Sequence, residues 1–192
     1  MRKITSKKEL EKKQRRNQII IGIVLIFVMF FSVVGYGFVG KSYDAKEKDY
    51  NGFAFLQQDN LWFTQIGDFL FVFNNHPTEI QNVKIEGELK TLENYYSKPV
   101  YIHSDNREAE IEIYSNLNAV VQRFQYACLE DKICEGDFPI KNCNDLFIII
   151  TENKNETQII QQDNCVFIEG KDEELTKLTD EFLFRILGIK NN

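Results

Sequence analysis

CLEDKICEGDFPIKNC, residues 128–143, holds three of the four cysteines of this 192-residue chain, and Cys165 is the fourth. Thiols placed in this way have three chemistries open to them: holding a metal, exchanging disulfides, or cross-linking the fold. The spacers of five, eight and twenty-one residues lack the short C-x(2–4)-C pair by which a loop presents two thiolates to tetrahedral zinc, and there is no C-x-x-C redox pair. Cross-linking by Cys128, Cys134, Cys143 and Cys165 is therefore favoured over a zinc centre or a reactive thiol, provided that the cysteines lie in an oxidising compartment.

Imidazole chemistry would have to use His76, which precedes Pro77, or His103, at the end of a strand-like run; the chain has just two histidines. Neither sits in H-E-x-x-H or beside G-x-S-x-G, and a nucleophile elbow, a P-loop and a dinucleotide fingerprint are all absent from the sequence. Carboxylates cluster at Glu108, Glu110 and Glu112 and at Asp172, Glu173 and Glu174. A glycosidase holds two at a set separation in a cleft, but the first set reads as a solvated helix face. The second reads as a helix's first turn, where negative charge complements the dipole. No catalytic, cofactor-binding or metal-ligating residue is assigned, and no cofactor is expected. Asn155-Glu156-Thr157 is the one N-x-S/T sequon, making Asn155 a candidate glycan acceptor.

The compartment of these residues is set far upstream. Residues 19–39, IIIGIVLIFVMFFSVVGYGFV, carry no charge, and at about 1.5 Å per residue they span roughly 30 Å, the hydrocarbon thickness of a bilayer. A buried core helix would keep a polar edge, whereas the only polar side chains here are Ser32 and Tyr36. Residues 1–18 carry eight Lys and Arg against Glu9 and Glu11, which retains the N-terminus in the cytoplasm. A cleavable signal peptide, cut near Gly35-Tyr36-Gly37, is the competing reading; its apolar region would be about 7 to 15 residues, shorter than this one. An uncleaved single-pass signal-anchor in the cell membrane is favoured, and either reading puts residues 41–192 outside.

The chain thus divides into a basic cytoplasmic tail (1–18), a transmembrane helix (19–39), a linker (40–50) and an extracytoplasmic domain (51–190). The tail has a net charge of +6 and the rest −12. An acidic outer domain without a basic, aromatic-interleaved patch argues against nucleic-acid binding. The tail reads as a topology determinant more than as a lipid-headgroup site.

Within the outer domain, NGFAFLQQDNLWFTQIGDFLFVFNN contains three β-like runs separated by QDN and GD, an antiparallel meander. Phe69, Phe71 and Phe73 alternate with Leu70 and Val72, and these aromatics read as core more than as a binding face. NHPTEIQNV reads as a turn and short strand, EGELKTLENYYSK as a short helix stopped before Pro99, and residues 100–104 as a strand. The spacing of Ile111, Tyr114, Leu117, Val121, Phe124 and Cys128 predicts one face of a long helix. Asp105 would be its N-cap, with Glu108 completing a capping-box-like pattern. Strands follow at 146–151, 157–162 and 165–170. A last helix runs from about 172 to 187, with Leu175, Leu178, Phe182 and Ile186 on one stripe and Gly188 as its stop. The expected class is α+β: behind the transmembrane helix, an extracytoplasmic β-meander and a two-layer arrangement of a sheet with two amphipathic helices on one face. Strands 100–104 and 146–151 would be parallel neighbours across a right-handed crossover.

A hairpin turning around Lys154 sets position 151 opposite 157, and the same register sets Cys143 opposite Cys165. That crosslink is worth roughly 3 kcal/mol. Cys128 would then pair with Cys134 at the helix exit. Four cysteines allow three pairings, and this one is favoured.

The frame CLEDKIC…PIKNC…NCVFIEG followed by DEFLFRILGI resembles single-pass membrane-anchored proteins of small-genome archaea, themselves uncharacterised, over roughly residues 50–190. The resemblance implies an anchor-plus-ectodomain architecture and structural cysteines; it implies no activity and supplies no catalytic residues. The function expected is a non-catalytic interaction or scaffolding module at the cell surface, held in the bilayer through residues 19–39 and meeting an envelope protein or another copy. The alternative is an envelope hydrolase using carboxylates near His76 or His103. A pilin-like subunit is a weaker third, since RRNQII offers no processing site.

Overall fold

The computed structural model describes residues 46–80, 83–130, 132, 134 and 136–191, together with positions 17, 20–22 and 25. The chain separates into residues 1–43 and 44–192, and every element below belongs to the second. Among the described residues no helix is long and apolar enough to cross a membrane. Most of the expected tail and transmembrane helix lie outside the described residues.

Four antiparallel strands open the domain: β1 (Lys46–Tyr50), β2 (Phe53–Gln58), β3 (Leu61–Ile66) and β4 (Phe69–Phe73), in that spatial order. Asn51-Gly52 and Asp59-Asn60 make the first two turns with positive φ at both positions (49°, 84° and 50°, 67°), the primed geometry that matches strand twist. β1 falls in the stretch read as a linker. Its charged KEKD run looks solvated because it is: the strand sits at a sheet edge with those four side chains exposed.

The remaining strands are β5 (Lys84–Glu86), β6 (Pro99–Ser104), β7 (Arg123–Tyr126), β8 (Cys128–Leu129), β9 (Ile140–Lys141), β10 (Phe147–Glu152), β11 (Gln158–Gln162) and β12 (Cys165–Gly170). The helices are a 3-10 turn (Pro77–Glu79), α1 (Leu92–Tyr95), α2 (Arg107–Leu117) and α3 (Asp172–Ile186). Six strands form a mixed sheet in the order β5-β11-β12-β10-β6-β7, and β8 pairs with β9 apart from it. β6 and β10 are parallel neighbours, as expected. The expected 146–151/157–162 hairpin does not form: β10 runs parallel to β12, and β11 folds back on β12 instead.

One sheet face, through Val100, Ile102, Ile148, Ile150, Val166 and Ile168, joins Ile113 and Leu117 of α2 and Leu175, Leu178 and Phe182 of α3 in the main core, which also takes Phe55, Trp62, Phe71 and Phe73 of the meander. Tyr101, Phe147, Ile149 and Cys165 alternate with these and build a smaller core on the other face. α3 is therefore covered from two sides. Its Phe184 ring stacks 4.6 Å from Phe73 and 6.3 Å from Phe55, while Leu178 packs so close to Gly170 of β12 that a Cβ there would meet it at 2.6 Å. The expected stripe is buried, but so is every residue from Leu178 to Phe184. Gly188 takes φ 73° directly after the helix end, as a C-terminal stop requires.

α2 departs further from expectation. It ends at Leu117, and Phe124 lies on strand β7. Ile111 and Tyr114, on the expected core stripe, are exposed, while Ala109, Glu112, Ile113, Asn116 and Leu117 are buried. Two polar residues on the buried face disguised it, and the exposed apolar pair supplied a false stripe. The N-cap is Asn106, not Asp105: its side chain accepts from Ala109 N at 2.8 Å and donates to Asp172 Oδ1 at 2.7 Å, joining the starts of α2 and α3.

Candidate functional site: a buried acid pair

Asn74 and Asn75 follow the last buried phenylalanine of β4, where the chain leaves the meander and passes the two helices. Asn74 N donates to Glu112 Oε1 at 3.2 Å and its Nδ2 makes a short bond to Glu112 Oε2. Asn75 donates twice to Asp180 Oδ2, from N and from Nδ2, both at 2.8 Å. Asn116, one turn after Glu112, accepts from Val72 N at 2.7 Å and donates to Val72 O at 2.6 Å, completing the outer edge of β4 as another strand would. The polar groups buried on α2 are thus those that fasten the meander to the helices.

Glu112 and Asp180 bond to each other as well. Four N–H donors surround the pair, an arrangement that repels a cation and suits one negative charge, so the pair holds one proton between its members. Asp180 keeps it: burial first, and then the Glu112 charge, push its carboxyl well above the usual range. Its Oδ1 takes no bond from Asn75, both of whose donors go to Oδ2. Burial also raises Glu112, against the bonds from Asp180 and Asn74 that favour its charged form. The sequence places Glu112 on a solvated face, yet it is 5 % exposed and Asp180 0 %. The pair can store a proton but is closed to a substrate. Beside it, buried Glu181 takes Arg185 at 2.9 Å and Lys190 at 2.5 Å, and Lys190 also donates to Ile80 O at 2.8 Å, tying down the C-terminal segment.

His76 is fully buried among Trp62 (4.6 Å between ring centroids), Phe55 (5.0 Å) and Tyr50 (6.1 Å). Its Nδ1 accepts from Thr78 N, capping the 3-10 turn, and Glu79 Oε2 in turn accepts from His76 N. Its Nε2 has no partner. Burial, then the nearby Lys48 charge, hold the imidazole below its usual pKa, so it is neutral and structural. His103 lies half-buried at the end of β6, 3.7 Å from Asp105. Neither histidine is among the groups that shift the Glu112 and Asp180 carboxyls. Glu108 is exposed, Glu110 half-buried, and Asp172, Glu173 and Glu174 occupy the first turn of α3 as read. An open groove of about 450 Å³ is lined by Thr91, Leu92, Arg185 and Lys190 among others; its two cations are those spent on Glu181.

The cysteines close two disulfides, Cys128–Cys134 and Cys143–Cys165. The second pair forms by a different route from the hairpin register. The chain before β10 runs beside the start of β12, with Asn164 N donating to Cys143 O at 3.1 Å, and Phe147 is the residue paired with Cys165. Cys128 leaves a strand, not a helix. Among the described residues no group of three His, Cys, Asp or Glu is placed to hold a metal. Asn155 is exposed on the β10–β11 connection, with its N–H bonded to Asn153 Oδ1 at 3.0 Å.

One surface feature escaped the sequence reading. Tyr114 of α2 lies 5.5 Å from Phe124 of β7, and Tyr126 of β7 lies 6.4 Å from Phe138. The Tyr126 hydroxyl donates to Glu110. Ile111, Tyr114, Tyr126 and Phe138 are each 43 to 53 % exposed, so α2 and the sheet's last strand present an aromatic patch. In comparisons with known proteins, no family model, no curated protein and no solved structure matches the chain.

Proposed function

We propose that this chain is a membrane-anchored, extracytoplasmic interaction module. The observation that carries the reading is the exposed patch of Ile111, Tyr114, Tyr126 and Phe138, since apolar surface gathered at one place on an acidic domain marks a docking face. Two disulfides in a chain with a charge-free 19–39 segment and a basic flank support an outside location. The resemblance to anchored archaeal proteins belongs to the same proposal, as does a glycan at exposed Asn155. The hydrolase alternative draws no support from the acid pair, because Glu112 and Asp180 are sealed from a substrate.

The test is photocrosslinking in native membranes from a benzoylphenylalanine at Tyr114, with one at exposed Leu56 of β2 as control. A discrete protein adduct from position 114 alone supports the module. Equal, diffuse labelling from both positions overturns it.

A further inference from the structure

The two large sheets end in four edge strands, β1, β4, β5 and β7, and an edge left open invites another chain unless something blocks it. β1 is guarded by exposed Lys46, Glu47, Lys48 and Asp49. β4 has its Val72 N–H and C=O taken by Asn116. β5 is three residues long with Lys84 and Glu86 ion-paired at 2.6 Å. Among the described residues no charge pair or side-chain bond blocks the outer backbone of β7: after Arg123 it reads Phe124, Gln125, Tyr126, and the aromatic patch lies along it.

We propose that β7 pairs antiparallel with β7 of a second copy, across a two-fold axis at Gln125. This rests on the interaction-module reading and names its partner. Antiparallel neighbours related by a two-fold keep their sheet faces, so the axis must pass beside a residue, not between two. Phe124 and Tyr126 share the helix face, being partners of the core residues Val100 and Ile102. An axis at Gln125 sets Phe124 opposite Tyr126 of the copy, and Tyr126 opposite Phe124, two cross-strand aromatic pairs. It sets Arg123 opposite neutral Ala127, so no like charges meet. An axis at Phe124 or Tyr126 loses both mixed aromatic pairs and leaves one ring facing its own copy. The size is adequate: four side chains about half exposed leave roughly 400 Å² of apolar surface per copy. With the strand backbone, two copies then bury about 1,000 Å², the lower bound for a specific interface. Association in solution is accordingly weak, and confinement of both copies to one membrane strengthens it.

The test uses the full chain in native membranes. All four native cysteines are paired, so Gln125→Cys adds a lone exposed thiol on the axis, within disulfide reach of its own copy. Mild oxidation is expected to give a covalent dimer joined at position 125, whereas Leu70→Cys, also exposed but on the meander, gives none. Adding Tyr126→Lys to Gln125→Cys is expected to weaken association about tenfold or more. A Gln125→Cys dimer yield no higher than that of Leu70→Cys overturns the pairing. If position 114 then still crosslinks to a different envelope protein, the interaction module stands without self-pairing; if that crosslink also fails, both readings fall.

Discussion

Asp180→Asn replaces a protonated carboxyl by a neutral amide of the same shape. The amide oxygen can accept both Asn75 bonds, and the amide NH₂ supplies a donor beside Glu112. In the natural protein the folded state holds the Asp180 proton above the ordinary carboxyl range, while the unfolded chain releases it near pH 3.9. This group's stabilising contribution is therefore complete below about pH 3.9 and is lost, at about 1.4 kcal/mol per pH unit, as pH rises to the folded value. The substitution removes that slope and leaves Glu112's own. Relative to wild type, the variant is expected to gain about 1.4 kcal/mol for each pH unit climbed within the window. Asp180→Ala is the contrast: it strands the two Asn75 donors and takes the proton donor from buried Glu112, a loss of about 2–4 kcal/mol. Urea unfolding of the disulfide-intact protein across mildly acidic to neutral pH reads both, and contributions from His76 and the other titrating groups cancel in the differences. A gap between Asp180→Asn and wild type that stays flat with pH, or a neutral-pH loss as large as that of Asp180→Ala, refutes the shared-proton description.

Three further outcomes are expected. His76→Asn keeps an acceptor for the Thr78 N–H but leaves space among Trp62, Phe55 and Tyr50, costing about 1–3 kcal/mol at neutral pH. Because burial lowers the folded imidazole's pKa, wild-type stability from this group is complete above about pH 6.5 and falls as pH drops to the folded value. Urea midpoints at neutral and acid pH should show that fall missing in the variant. Replacing Cys143 and Cys165 by Ser should cost about 3 kcal/mol and the Cys128 and Cys134 pair about 2, following loop lengths of 22 and 6 residues; thermal unfolding should rank them in that order. Gly87→Ala brings a Cβ to 2.5 Å from Gln161 O at a φ of 81°, so a loss of about 2 kcal/mol and faster amide exchange along β5 and β11 are expected.

Much of the architecture is legible in local pattern. The three aromatic strands of the meander, the strands around residues 100, 148, 160 and 167, and the last helix with its glycine stop all carry their period and punctuation in a few neighbouring residues. The candidate site is not legible in this way. Glu112, Asn116, Asp180 and Glu181 look like solvent-facing residues because hydropathy scores a side chain against water. Here the first three are buried against backbone N–H groups, and Glu181 against Arg185 and Lys190. Exposed Ile111 and Tyr114 compound the error by supplying an apolar stripe that faces outward.

What the sequence alone determines is what depends on near neighbours along the chain: strand alternation, turn residues, a charge-free segment of bilayer length, and cysteines spaced for cross-linking and not for zinc. What the tertiary structure decides is what depends on distant segments meeting. A turn at residues 74 and 75 meets helices at 112 and 180, and only that meeting turns two ordinary carboxyl groups into a pair sharing a proton. Strand order likewise emerges from packing: β12 lies between β10 and β11, which joins Cys143 to Cys165 by a parallel neighbour and leaves β7 at the open edge. Backbone hydrogen-bonding capacity is the same for every strand, so the choice among partners rests on which side chains the assembled core can bury.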